Sequence, residues 1–304
     1  MQAAIPAVEA VGLVKRFGAA RAIDGIDLSV PAGGIYGILG PNGAGKTTTL
    51  RTLLGILDPD AGRRRVLGST DPLSVAGEVG YLPEERGLYP AMTPREAIAF
   101  LGALRGLPLA EGRRRATDLL ARHGLPADRP IRTLSKGMAQ LVQLLGTIVH
   151  APRLIVLDEP FSGLDAINQE RLEALIRAQA QAGATILFST HVIAHAERLC
   201  ERIAIIAGGR VRFEGTVEAA RASLPARVRL GTRMRDGAWR ASLPADATRD
   251  EGLWRFSLPQ AGIEPLLGAL LDGGAGIETL AIEPPGLHDA FVAIVGAAGR
   301  EETR

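Results

Sequence analysis

Apolar runs of strand length recur along the first part of the chain, separated by polar stretches with helical periodicity. Residues 34–39 and 154–157 are continuous apolar segments, the pattern of parallel strands covered on both faces. Residues 48–54, directly after the first run, read as a helix. Thr93-Pro94-Arg95-Glu96 reads as a capping box with proline in the first turn, opening an apolar helix at residues 97–101. A second helix is expected over residues 112–123. A third starts near Ser135 and carries Leu141, Leu144, Leu145 and Ile148 at helical spacing. Residues 203–206 and 210–214 flank Gly208-Gly209 as a hairpin. Past Thr216 the signal weakens to strands at 227–230, 253–258 and 277–282 and helices at 263–271 and 287–295. The pattern predicts an α/β domain over residues 1–218, with a helical subdomain at about 90–150, and a small α+β domain over 219–304.

A chain of 304 residues, 46% of them hydrophobic, has ample core for about two domains. No apolar run approaches the ~18 residues of a membrane span, and no signal peptide is expected ahead of Val8. Work at a membrane would therefore need a separate partner. Cys200 is alone, which removes disulfides and cysteine zinc sites and reads as a buried thiol. A net charge of +2 leaves no footprint for nucleic acid. Arg63-Arg64-Arg65 and Arg113-Arg114-Arg115 read as solvated faces, with acidic lipid or a partner as the alternative.

The chemistry lies between the strand and the helix. Gly40-Pro41-Asn42-Gly43-Ala44-Gly45-Lys46-Thr47, running into Thr48, is a complete phosphate-binding loop in strand-to-helix context. Its glycines let the backbone N–H groups converge, and the positive end of the helix helps them hold the β- and γ-phosphates of a nucleoside triphosphate. Lys46 adds a point charge, in a chain with only three lysines among its 35 basic residues. Thr47 can give its hydroxyl to Mg²⁺. Asp158 and Glu159 end the second buried run, at the C-terminal end of the strand, where α/β sheets bind ligands. Asp158 is the expected Mg²⁺ partner, and Glu159 can polarise an attacking water. The 112 positions from Lys46 to Asp158 exceed what a minimal nucleotide-binding core needs and point to an inserted subdomain.

Leu134-Ser135-Lys136-Gly137-Met138 resembles the signature of ATP-binding cassette (ABC) ATPases. The order of phosphate loop, signature, acidic strand, Ser162-Gly163-Leu164-Asp165 and Phe188-Ser189-Thr190-His191 is similar to that family through about residue 215. The resemblance implies a P-loop NTPase cassette: a RecA-like core, an antiparallel β subdomain and a helical subdomain. It further implies ATP and Mg²⁺ as ligands and a head-to-tail pair of cassettes, with a homodimer expected. Ser135 and Gly137 of one copy would then cap the γ-phosphate held by Lys46 of the other. It makes Asp165, with Ser162, part of a loop coupling the two sites, His191 the residue that touches the γ-phosphate and positions water beside Glu159, and Phe17 the aromatic under adenine. Lys136 and Met138 depart from the usual signature, and Glu84 stands where a glutamine usually contacts Mg²⁺. The segment from Gly80-Tyr81-Leu82-Pro83-Glu84-Glu85-Arg86 onward is nevertheless similar to a bacterial subgroup of sodium-export and drug-export-like ATPases.

The expectation is an ATPase subunit at the cytoplasmic face of the inner membrane. It would drive a separately encoded permease, an exporter, through a surface at residues 85–107, and bind no nucleic acid. Two alternatives remain at this stage. One is a soluble ABC ATPase of translation or DNA repair, against which stand the lack of a tandem cassette, a long coiled coil and cysteine zinc modules. The other is a nucleotide switch that scarcely hydrolyses, motivated by Glu84 and Met138.

Overall fold

A computed structural model describes residues 5–85 and 87–301; Arg86, within the segment just quoted, lies outside the described residues. The chain divides into two compact units, Met1–Val217 with Ile294–Arg304, and Glu218–Ala293. The first contains β1 (Val8–Phe17), β2 (Ala20–Val30), β3 (Ile35–Leu39), α1 (Lys46–Leu53), β4 (Ala61–Val66) and β5 (Val79–Leu82). There follow α2 (Pro94–Ala103), α3 (Leu109–Arg122), α4 (Lys136–Ile148), β6 (Leu154–Asp158), α5 (Ala166–Gln181), β7 (Thr185–Thr190), α6 (Ile193–Leu199), β8 (Arg202–Ala207) and β9 (Arg210–Thr216).

Six strands form one sheet in the order β5-β6-β7-β3-β8-β9, parallel except for the antiparallel edge strand β9. Its central strands are apolar throughout because both faces are covered. Ile155 and Leu157 of β6 join a core with α4 and α5, while Leu154 and Val156 join a core with α1 and the other sheet. Each such side chain contributes roughly 1.5–3 kcal/mol on burial. The second sheet is antiparallel, β2-β1-β4, with Val8 of β1 opposite both Val30 and Val66. Helices α2 to α4 form the inserted subdomain. Thr93 and Glu96 close a reciprocal capping box at α2. A Cβ on Gly146 of α4 would come within 2.4 Å of Leu101 of α2, so glycine permits that helix approach.

Two boundaries differ from the expectation. Helix α1 starts at Lys46 rather than residue 48, because the loop glycine Gly45 is already its N-cap. Helix α3 starts at Leu109 rather than residue 112, directly after Pro108, which has no N–H for a helix to lose.

The second unit holds β10 (Arg227–Thr232), β11 (Thr248–Asp250), β12 (Leu253–Ser257), α8 (Glu264–Asp272) and β13 (Ile277–Glu283). Its sheet runs β11-β12-β10-β13, antiparallel throughout. Trp239 and Trp254 meet edge to face at 6.0 Å in a core with Val228, Leu230 and Leu270. Helix α7 (Val217–Ala222) and helix α9 (Leu287–Glu301) complete the chain order.

Candidate functional site

The loop after β3 is shaped by close contacts that glycine alone tolerates. A Cβ at Gly40 would lie 2.3 Å from the Ile206 carbonyl oxygen, and one at Gly45 would lie 2.3 Å from that of Ala22. Gly45 caps α1 in the left-handed region, φ 101°, and offers no side-chain acceptor to the first-turn amides. Those N–H groups and the helix dipole suit an anion.

Lys46 is nearly buried. Its Nζ donates to the carbonyls of Gly40 at 2.8 Å and Pro41 at 3.2 Å and lies 3.3 Å from Glu159 Oε1. Thr47 Oγ1 donates to Asp158 Oδ1 at 3.0 Å, and Ser189 Oγ donates to the same oxygen at 2.6 Å. Burial pushes the Asp158 carboxyl above its usual range, opposed by the Ser189 and Thr47 hydrogen bonds. The Glu159 N–H donates to Ser189 Oγ at 3.0 Å. Glu159 itself has φ 46°, a left-handed conformation that costs a non-glycine residue on the order of 1–3 kcal/mol. This turn brings Oε2 to 3.0 Å from Nδ1 of the half-exposed His191. A carboxylate only accepts, so Nδ1 carries the proton in that bond.

These groups open on one cleft of about 510 Å³, lined by Ala22, residues 42–48, Glu84, Glu159, Ser162 and His191. The cleft thus gathers the expected residues 42–48, Glu84, Glu159, Ser162 and His191, with Asp158 bonded beneath. Gly40 and Pro41 serve through their carbonyls. Asp158 Oδ2 is buried with no hydrogen-bond partner among the described residues. That orphaned oxygen, beside the Thr47 hydroxyl, is a hard-donor set that fits Mg²⁺. Among the described residues no cluster of three or more His, Cys, Asp or Glu could hold a metal unaided. The fit is therefore to a cation that phosphate oxygens and water also bind.

Other expected residues lie off this cleft. Phe17 ends β1 half-exposed, with Lys15 Nζ 5.8 Å from its ring centroid. Ser135 caps α4 by accepting from the Met138 N–H at 3.2 Å. Asp165 caps α5 by accepting from the Asn168 N–H at 2.9 Å and Nδ2 at 2.8 Å. Asn168 carries no local signal in the sequence. Its amide sits 2.3 Å from where a Gly137 Cβ would be, so it joins the signature glycine to Asp165. Ser189 likewise carries no local signal, although it bridges Asp158 and Glu159.

Away from this chemistry, a groove of about 200 Å³ runs past Gly80, Pro83, Leu88, Leu101, Leu104 and Gln143. Tyr89, Phe100 and Leu104 are exposed nearby, with Tyr89 and Phe100 edge to face at 6.2 Å.

The family model described as "ABC transporter" matches residues 23–162. The uncharacterized ABC transporter ATP-binding protein YhaQ of Bacillus subtilis is 34% identical over 301 residues, covering 94% of this chain and 97% of YhaQ. The Nod factor export ATP-binding protein I of Ralstonia nicotianae is 40% identical over 215 residues, 69% of this chain and 67% of that protein. Among solved structures, that of cbiO1 from Clostridium perfringens, described as part of the ABC transporter complex cbiONQ, superposes with a TM-score of 0.63 at 27% identity. It covers 71% of this chain and 91% of cbiO1.

Proposed function

This chain belongs to the ABC transporter family as an ATP-binding, ATP-hydrolysing subunit, and from that premise we propose that it powers an exporter as one half of a cassette dimer. The observation that carries the reading is the meeting of Lys46, Thr47, Asp158, Glu159 and His191 at one cleft.

The loop amides and Lys46 hold the β- and γ-phosphates. Glu159, fixed between Lys46 and His191, polarises the water that attacks the γ-phosphorus and accepts its proton. His191 hydrogen-bonds the γ-phosphate and keeps the carboxylate aimed. Thr47 and Asp158, with Glu84 at the rim, would hold Mg²⁺. When bound, the ion would offset the negative charge of the phosphates. Phe17 would stack on adenine.

Ser135 and Lys136 are exposed at the start of α4, off the chain's own cleft, which supports their closing over the nucleotide of a second copy. Asp165 and Ser162 would couple the two sites. Among the described residues no helix is long and apolar enough to cross a membrane; attachment to a separate permease on the cytoplasmic face is supported by the likeness to cbiO1, described as part of the ABC transporter complex cbiONQ. Export is supported by the similarity to the Nod factor export protein.

The groove beside α2, lined by exposed Leu104 with Tyr89 and Phe100 exposed nearby, suits the permease contact. Leu104 is 65% exposed, so Leu104→Glu should leave the fold and basal hydrolysis intact while reducing co-purification with the permease at least about tenfold. Normal co-purification and transport by this variant would place the contact elsewhere.

Glu84 faces the same cleft as Glu159, whereas Glu85 does not line it. Glu84→Gln is therefore expected to shift the Mg²⁺ concentration for half-maximal hydrolysis by about threefold or more, and Glu85→Gln to leave it in place. Identical Mg²⁺ titrations for both variants and wild type would remove Glu84 from the metal's surroundings.

A further inference from the structure

Glu159 and His191 arise from the ends of different strands, β6 and β7, and their 3.0 Å hydrogen bond requires the two following loops to keep a fixed separation. The left-handed backbone of Glu159 must also be held by its surroundings. Yet the space between the loops is not solidly filled. A cavity of about 330 Å³ is lined by Glu159, Ser162, Thr190, His191 and Arg198.

A pair of stacked rings lies across that space. Phe161, two residues after Glu159, lies face to face with His195, four residues after His191, with ring centroids 4.1 Å apart and planes 12° from parallel. Both side chains are buried, 5% and 4% exposed. Behind Phe161, Phe188 of β7 meets it edge-on at 6.1 Å. The edge of His195 is fixed as well. Its Nδ1 lies 3.0 Å from Arg198 Nη2 and 3.2 Å from Glu173 Oε1 of α5, and Arg198 is itself bonded to Glu173 at 2.5 Å. The nitrogen cannot both accept from the arginine and donate to the carboxylate. A guanidinium only donates and a carboxylate only accepts, so Nδ1 makes one of these two bonds at a time, and either one fixes the edge of the ring. Burial lowers the pKa of His195, opposed by the Glu173 hydrogen bond.

We propose that the Phe161–His195 stack is the clamp that sets the separation of Glu159 and His191, which makes His195 a positioning residue for hydrolysis. A planar ring fixes both distance and tilt against Phe161, whereas an aliphatic side chain of similar size would fill the volume without defining the plane. Neither ring lines the cleft formed by the phosphate loop, so loss of the stack should fall on turnover more than on ATP binding. A displacement of about 1 Å between reacting groups can cost on the order of 10²-fold in rate.

The inference rests on reading Glu159 and His191 as the catalytic pair, and the test separates the two claims. Steady-state ATPase assays on the full chain, with thermal unfolding measured alongside, should find His195→Phe within about twofold of wild-type kcat. His195→Ala, His195→Leu and Phe161→Ala should each lose about tenfold or more in kcat, with KM for ATP changed by less than about twofold. The His195→Ala/Phe161→Ala double variant should be no slower than the slower single one, because both remove the same contact. Wild-type kcat in His195→Ala, or a loss that falls on KM, overturns the clamp. If His195→Ala is unfolded at the assay temperature, the Phe and Leu variants decide, and equal kcat in those two overturns it. Should Glu159→Gln hydrolyse like wild type, the reading of the catalytic pair fails. An inactive Glu159→Gln beside indifferent His195 variants sinks the clamp alone.

Discussion

Lys46→Ala is expected to reduce ATP hydrolysis by on the order of 10²–10³-fold or more and to weaken ATP binding by at least about tenfold. Among the described residues lining the cleft, Lys46 is the one lysine or arginine, so its removal leaves the phosphates without a side-chain cation of fixed charge. The variant also leaves Glu159 without its partner in a pair whose side chains are 6% and 9% exposed. Removing one member of a fully buried pair costs about 3–5 kcal/mol. Here the loss should be smaller, because His191 still donates to Glu159 and the cleft admits water. A modest drop in Tm together with a collapse of turnover is the expected signature. Titration calorimetry with ATP and a steady-state assay check it, and wild-type turnover would remove Lys46 from the site.

What could be read in the sequence is what contiguous residues determine. The phosphate loop spans eight successive positions, and the buried strands announce themselves because alternate side chains of β6 enter two different cores. The capping box at α2 is likewise local, closed within Thr93–Glu96. Contacts distant in the chain left no such trace. Asn168 lies against Gly137 through a helix packing that neither segment's pattern encodes. Ser189 holds Asp158 and Glu159 only because β7 is parallel to β6 in the register that sets Asp158 beside Ser189. The left-handed turn at Glu159 has no glycine to mark it. In the second unit, Trp239 enters the core from a single turn of 3₁₀ helix at Ala238–Ser242, too short for periodicity to register. Strand β11, three exposed residues long, lacks the alternation that would have announced it.

Glu159→Gln separates binding from chemistry. The amide keeps the shape of the carboxylate, and its oxygen can still accept from Lys46 or from His191, so the phosphate loop and the turn should stay as they are. What disappears is the negative charge that polarises water and takes its proton, a contribution of about 10²–10⁴-fold. Turnover should fall by that factor while ATP affinity changes little. With hydrolysis stalled, bound ATP would persist, and the surface that Ser135 presents to a second copy would remain closed. In ATP and Mg²⁺ the variant should therefore sediment as a dimer at concentrations where the wild-type protein, which turns its nucleotide over, returns to monomer. EDTA should dissolve that dimer, since Thr47 and Asp158 would then hold no cation against the phosphates. A variant that stays monomeric with hydrolysis intact would overturn both the role of Glu159 and the closed pair of cassettes. Loss of turnover without dimerisation would retain Glu159 and remove the pairing.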